Sequence, residues 1–163
     1  MLAGCSRTTS PTSPTSVPAS IGASSTASPI AVSHAAQNQV PFKGTFQGSD
    51  TVAPPTITTR ATGTGTHLGQ FSFAHVITFP ALTGSSHWVA ANGDSIDTTI
   101  AGSGEPTDTP GIIRITDIQT ISGGTGRFAG AQGSFTVERL ASVVTFLTSG
   151  SFHGTITSPG AAH

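Results

Sequence analysis

A chain of 163 residues with 8% charged side chains and a formal net charge of -1 has no basic stripe with which to neutralise phosphates, so nucleic acid is excluded as a partner. The charged fraction lies far below the usual value of about 25%, and polar surface has to come from Thr, Ser, Gln and Asn, a composition suited to strands exposed outside the cell. Cys5 is the single cysteine, which rules out an intramolecular disulfide.

Residues 6–41 hold one charge, Arg7, with Pro11, Pro14, Pro18, Pro29 and Pro41 scattered among Ser, Thr and Ala. Such a segment cannot bury enough apolar surface to offset its ordering entropy and reads as a disordered tether. The folded unit is therefore expected over 42–158, with residues 159–163 a disordered end. Leu2-Ala3-Gly4-Cys5-Ser6 resembles the bacterial lipobox, in which cleavage before a cysteine precedes its lipidation. This reading makes the chain a surface lipoprotein or secreted protein, places the signal peptide upstream of Met1, and leaves a chance match near the terminus as its alternative. No stretch reaches the ~18 apolar residues of a spanning helix, so membrane attachment is expected through lipid alone.

From Phe42 onward the apolar period is two. Phe42, Gly44, Phe46 and Gly48 share a face, and Gly150, Phe152, Gly154 and Ile156 repeat the pattern near the other end. Alternating Gly and Phe suit a tightly bent strand, and the two segments are expected to pair as first and last strands of a closed sheet. Ala53-Pro54-Pro55 is a loop. Thr56–Thr66 is extended, with Gly63 and Gly65 suggesting a bulge, and His67-Leu68-Gly69 is a turn. Phe71, Phe73, His75, Ile77 and Phe79 lie on one face of the third strand, which Pro80 ends. A fourth strand, 86–92, carries Trp88, and Asn92-Gly93-Asp94 signals a hairpin. A fifth runs from Ser95 to Gly102, followed by the longest loop, to Gly111. The sixth is Ile112–Ile121, and 134–140 and 143–156 supply the last two. Eight strands without a convincing helix predict an all-β, eight-stranded antiparallel up-and-down barrel, with a β-sandwich as the alternative.

Between the sixth and seventh strands, Gly123-Gly124-Thr125-Gly126-Arg127-Phe128-Ala129-Gly130-Ala131-Gln132-Gly133 forces a reversal, and Phe128 is its single large apolar group. Gly124 and Gly126 are expected at positive φ and Phe128 as a plug in one barrel end. A phosphate-binding loop is not indicated, since no long helix follows. The Gly-Gly-Thr-Gly-Arg-Phe turn with Ala131-x-Gly133 resembles that of the dirigent and allene oxide cyclase superfamily and its bacterial barrel-like relatives. Thr66-His67-Leu68-Gly69, Ala91-Asn92-Gly93-Asp94 and Gly150-Ser151-Phe152-x-Gly154-Thr155-Ile156 are similar in the same order. The resemblance implies an eight-stranded barrel. It also implies either cyclisation of an apolar epoxide held inside or acid-steered radical coupling, although none of either family's catalytic residues can be placed here by a matching motif.

Several side chains are candidates for chemistry. His67, His75, His87 and His153 have no metal-ligand spacing, so neither a metal nor another cofactor is expected. His75 sits among large apolar groups, and is either a core histidine bonded to a neighbouring Thr or carbonyl, or the polar contact of a ligand cavity lined by Phe71, Phe73, Ile77 and Trp88. Arg114 and Asp117 occupy opposite faces of the sixth strand, as do Glu138 and Arg139 of the seventh. One member of each pair should face inward as acid, base or clamp, unless both form exposed cross-strand ion pairs. Asp94 is expected to accept turn N–H groups, and Arg127 to bond across the turn or guard the barrel end. The partners that remain are a small apolar ligand and a further copy of the chain. Function narrows to a ligand-binding barrel, with a cyclase-like or dirigent-like enzyme and a purely structural barrel as alternatives.

Overall fold

The computed structural model describes residues 39–157; Cys5, the expected tether up to residue 38 and residues 158–163 lie outside them, whereas Gln39, Val40 and Pro41, expected in the tether, begin the first strand and pair with the last. Eight strands follow in order: β1 Gln39–Ala53, β2 Thr56–Gly65, β3 Gly69–Thr78, β4 Thr83–Ala90, β5 Ser95–Pro106, β6 Ile112–Gly124, β7 Gly133–Ser142 and β8 Leu147–Thr157. Each pairs antiparallel with the next, and β1 pairs with β8 to close the barrel. The sheet has no free edge and the sandwich alternative falls. One 3-10 turn, Gly126–Phe128, interrupts the β6–β7 connection.

Closure follows from the alternation of Phe and Gly at the seam. Phe152 of β8 lies over β1 and β2, where a Cβ on Gly44 or Gly65 would stand 2.6 and 2.7 Å from its ring. Ring and backbone approach that closely because glycine has no side chain. Phe42 completes the seam, its ring centroid 4.9 Å from Phe152 and 5.0 Å from Phe135.

Several strands are longer than the sequence predicts, among them β7, which spans Gly133–Ser142 against the expected 134–140. β1 continues past Gly48 to Ala53, and β5 continues to Pro106, so half of the expected 102–111 loop is ladder, Ser103 pairing with Thr116 and Glu105 with Arg114. β6 runs on to Gly124. The bulge expected at Gly63 and Gly65 is absent, since β1–β2 and β2–β3 keep one register. The register shift falls instead in β5–β6: Asp97 pairs with Gly123 and Thr98 with Ile121, passing over Ser122. Local composition marks glycines but not whether they serve a kink or a close contact.

The two ends of the barrel differ. At one, the β2–β3, β4–β5 and β6–β7 connections meet, and Leu68 and Phe128 are fully buried there among Phe42, Ile96 and Ile156. Phe128 thus stops this end. Its turn is braced by Asp94, whose carboxylate accepts the Arg127 N–H at 3.3 Å and pairs with Arg127 Nε at 3.4 Å, while the guanidinium lies 5.1 Å above the Phe128 ring. At the other end the β1–β2, β3–β4, β5–β6 and β7–β8 hairpins surround an opening.

Candidate functional site

Inward-facing residues form three layers from the closed end to the mouth. The first is solid aromatic packing. Trp88 is stacked on Phe73 at 4.3 Å and meets Phe71 and Phe152 each at 5.2 Å and Phe135 at 5.5 Å. The sequence predicts Phe71, Phe73, His75 and Trp88 as ligand contacts; the three rings pack on one another in the closed half, and none of the four lines the cavity. Ile77, two positions further along β3 from His75, does line the cavity.

The second layer is polar. Gln119 Oε1 accepts from Trp88 Nε1 at 3.1 Å and from Thr98 Oγ1 at 2.8 Å. Beside it His75, Asp117 and Arg139 converge from β3, β6 and β7. Arg139 Nη1 donates to both oxygens of Asp50, at 3.1 and 3.2 Å, and to Thr148 Oγ1 at 3.3 Å. Asp50 also accepts from Thr59 Oγ1 at 2.6 Å. Asp117 Oδ2 lies 3.8 Å from Arg139 Nε and 3.7 Å from His75 Nε2, within ion-pair range but too far for a hydrogen bond.

Asp117 is fully buried and Arg139 is 3% exposed, so the alternative of exposed cross-strand pairs does not hold for them. Arg114 and Glu138, the other members of the two pairs, point outward and are exposed. Odd-numbered residues of β6 face inward, because Ile121, Gln119 and Asp117 continue the core. Ile118 is left 57% exposed on the outer face.

Burial sets the protonation of this layer. Loss of solvent, reinforced by the Arg139 charge, lowers the His75 pKa to about 3, so the imidazole is neutral. Burial raises the Asp117 pKa to about 6, Arg139 opposing the rise and Asp50 adding to it. Both nitrogens of His75, both oxygens of Asp117, Ser86 Oγ, Gln119 Nε2 and Arg139 Nε have no hydrogen-bonding partner in the protein. The expected Thr or carbonyl partner of His75 is therefore not found. Buried polar groups left unpaired cost about 1–3 kcal/mol each, and seven such atoms gathered in one layer set it apart from the rest of the interior.

The third layer is an apolar cavity of about 580 Å³, with Ile57, Ile77, Ile113, Ile115 and Ala141 on its walls and Asp50, Asp117 and Arg139 at its floor. Leu82 and Phe146 close over its rim from turns in which both hold positive φ, 49° and 58°. For non-glycine residues that conformation is uncommon. Hydrogen bonds between connections fix the rim: Phe79 N–H donates to Pro55 O at 2.8 Å, Gly102 N–H to Leu82 O at 2.9 Å, and Val143 N–H to Gly111 O at 2.9 Å.

The remaining candidates lie elsewhere. His87 Nδ1 pairs with Asp97 Oδ1 at 2.7 Å on the outer surface, and His67 and His153 are exposed. Among the described residues no group of three His, Cys, Asp or Glu side chains could hold a metal ion. Asp50, Thr59, Thr148, Leu82 and Phe146 escape the sequence reading. Asp50 had a signal: it continues the inward phase of Phe42 and Phe46. Fold and site together define a closed antiparallel barrel with one stoppered end and one mouth opening onto a charged floor. No family model, curated protein or solved structure matches the chain.

Proposed function

We propose that the barrel binds a small, mainly apolar molecule, which enters between the four mouth hairpins and directs a polar group to the Asp117–Arg139 floor. One observation carries this: an apolar cavity of about 580 Å³, inside the usual range for small-molecule sites of about 300–1,000 Å³, ends on buried polar atoms that the protein leaves unpaired. A neutral fluorescent probe such as N-phenylnaphthylamine tests it. Bound probe should brighten with saturable stoichiometry, and Gly104→Phe should abolish the signal. Gly104 lines the cavity, and a Cβ there would meet Ile113 and Ile115 only at 3.6 and 3.9 Å, so the backbone accepts a side chain and a large one takes up the ligand's space. Unsaturable binding, or saturable binding unaffected by Gly104→Phe, removes the proposal.

A second reading, an acid–base enzyme of the cyclase or dirigent kind, draws on Asp117. A carboxyl titrating at about 6 beside an apolar cavity can both give and accept a proton near neutrality. For the address, the lipobox-like segment supports a secreted or lipid-tethered protein. Cys5→Ser in a gene extended upstream to a full signal peptide should release the protein from the membrane fraction; identical fractionation of both forms would count against a lipid anchor.

A further inference from the structure

The floor's charge and hydrogen-bonding inventory is specific enough to choose among ligand heads, and this choice rests on the binding reading above. We infer that the ligand is an uncharged aliphatic alcohol, its hydroxyl set between Asp117, His75 and Arg139, and that carboxylates of the same chain length are selected against.

The charge count comes first. The charged groups lining the cavity are Asp50, Asp117 and Arg139. Arg139 is already engaged through Nη1 by both oxygens of Asp50, so the single cation is matched and ionised Asp117 is in excess. An incoming carboxylate would place a third anion beside one guanidinium, in a layer shielded from water where like charges repel strongly. The other groups of this layer offer no relief: His75 from β3 is neutral, Ser86 from β4, Thr59 from β2 and Gln119 from β6 carry no charge, and Asp50 from β1 is an acid.

Hydrogen bonding separates alcohol from amine. The unpaired atoms of the layer comprise acceptors, the two Asp117 oxygens and one His75 nitrogen, and donors, Arg139 Nε–H, the Gln119 amide N–H and the other His75 nitrogen, with Ser86 able to act either way; of these residues Asp117 and Arg139 line the cavity itself, and the rest lie behind them. A hydroxyl gives one hydrogen and accepts others, so it serves both kinds at once. An ammonium would balance the excess Asp117 charge, but it serves acceptors alone, leaves Arg139 Nε–H buried and unpaired and brings a second cation beside that guanidinium; a carboxylate serves donors alone. The walls, Ile57, Ile77, Ile113, Ile115 and Ala141, are aliphatic rather than aromatic and suit an aliphatic body.

Displacement of bound N-phenylnaphthylamine from the full chain by decanol, decanoate and decylamine at pH about 7.5 tests this. Decanol should compete at least tenfold more strongly than either ion, a difference of about 1.4 kcal/mol. In Asp117→Asn the decanoate disadvantage should shrink severalfold, because the excess charge is gone while the shape is kept. If decanoate or decylamine competes as well as decanol with the wild-type chain, or if the probe binds and none of the three displaces it, the alcohol assignment is overturned while the cavity stands. If the probe itself does not bind, the binding reading fails with it. The wild-type series decides the matter should Asp117→Asn not fold.

Discussion

A Cβ on Gly102 of β5 would collide with Oδ1 of Asp117 on the neighbouring strand β6. The buried carboxylate occupies the volume that any other residue at position 102 would need, so this glycine is a condition for the charged floor. Gly102→Ala should push Asp117 from its place and cost about 1–3 kcal/mol, the usual penalty for overfilling a packed interior. Chemical denaturation reads the cost, and an unchanged midpoint would show that Asp117 moves freely.

His75 and Asp117 make opposite contributions to stability against pH. The His75 pKa falls from 6.5 to about 3: between these values the unfolded chain binds a proton that the folded chain does not. Its contribution is therefore complete above pH 6.5 and is lost as the pH falls toward 3. The Asp117 pKa rises from 3.8 to about 6, so over that interval the folded chain holds the extra proton; stability from this group is present below 3.8 and lost as the pH rises through 6. The two trends overlap and offset each other in the wild type. Asp117→Asn should expose the His75 slope, with stability climbing more steeply than wild type from pH 4 to 6, and His75→Gln should expose the reverse. Difference curves of parallel slope for both variants would refute the assignment.

Arg139 is the cation on which buried Asp117 and half-buried Asp50 depend. Arg139→Met keeps much of the apolar stem but leaves Asp50 and Asp117 without a counter-charge, and breaking a buried pair from one side costs about 3–5 kcal/mol. The same change should raise the Asp117 pKa beyond about 6, since Arg139 now opposes that rise. The carboxyl signal of Asp117 followed by NMR titration in the milder Arg139→Lys variant checks the origin of the shift, because a retained charge should leave the pKa nearly where it was.

Strand count and order could be read from the sequence because period-two alternation and Gly/Pro punctuation are local signals, and inward faces on β1, β3 and β8 follow from Phe spacing alone. Along β6 the signal fails: isoleucines at 112, 113, 115, 118 and 121 occupy both faces, and the phase is settled by Asp117 and Gln119 pointing inward, a choice made by contacts from β3, β4, β5 and β7. Which of Glu138 and Arg139 faces the interior depends on the same contacts. The split between an aromatic closed half and an open mouth was also hidden. Phe71 and Phe79 look alike in sequence, yet one is packed in the core and the other is 44% exposed at the rim. Their depth along the barrel axis is set by register with neighbouring strands, not by local pattern.

The turn from Gly123 to Gly133 provides an ordered test of what closes the barrel. Phe128 is fully buried, so Phe128→Ala loses both its transfer free energy and the filling of the end, about 3–5 kcal/mol. Gly126 holds φ 56° with Asp94 against the position a Cβ would take. Gly126→Val therefore adds backbone strain of about 1–3 kcal/mol and displaces the carboxylate that braces Arg127. Gly124 reaches a similar cost by another route. It is not among the positive-φ glycines, Gly126, Gly130 and Gly133 of this turn; it pairs with Ile96 in the ladder, and a Cβ there would stand 2.6 Å from the Phe128 carbonyl and 2.8 Å from that of Ser95. Gly104→Ala meets nothing nearer than 3.6 Å and should stay within about 0.5 kcal/mol of wild type. Denaturation midpoints should thus fall in the order Phe128→Ala lowest, Gly126→Val and Gly124→Val next, Gly104→Ala unchanged. The two glycine variants can be separated further: Asp94→Ala removes the collision at Gly126 and should recover part of the Gly126→Val loss, but none of the Gly124→Val loss, whose obstacle is main chain. Equal recovery in both would mean that the turn yields as one unit and that Asp94 is not what holds Gly126 in place.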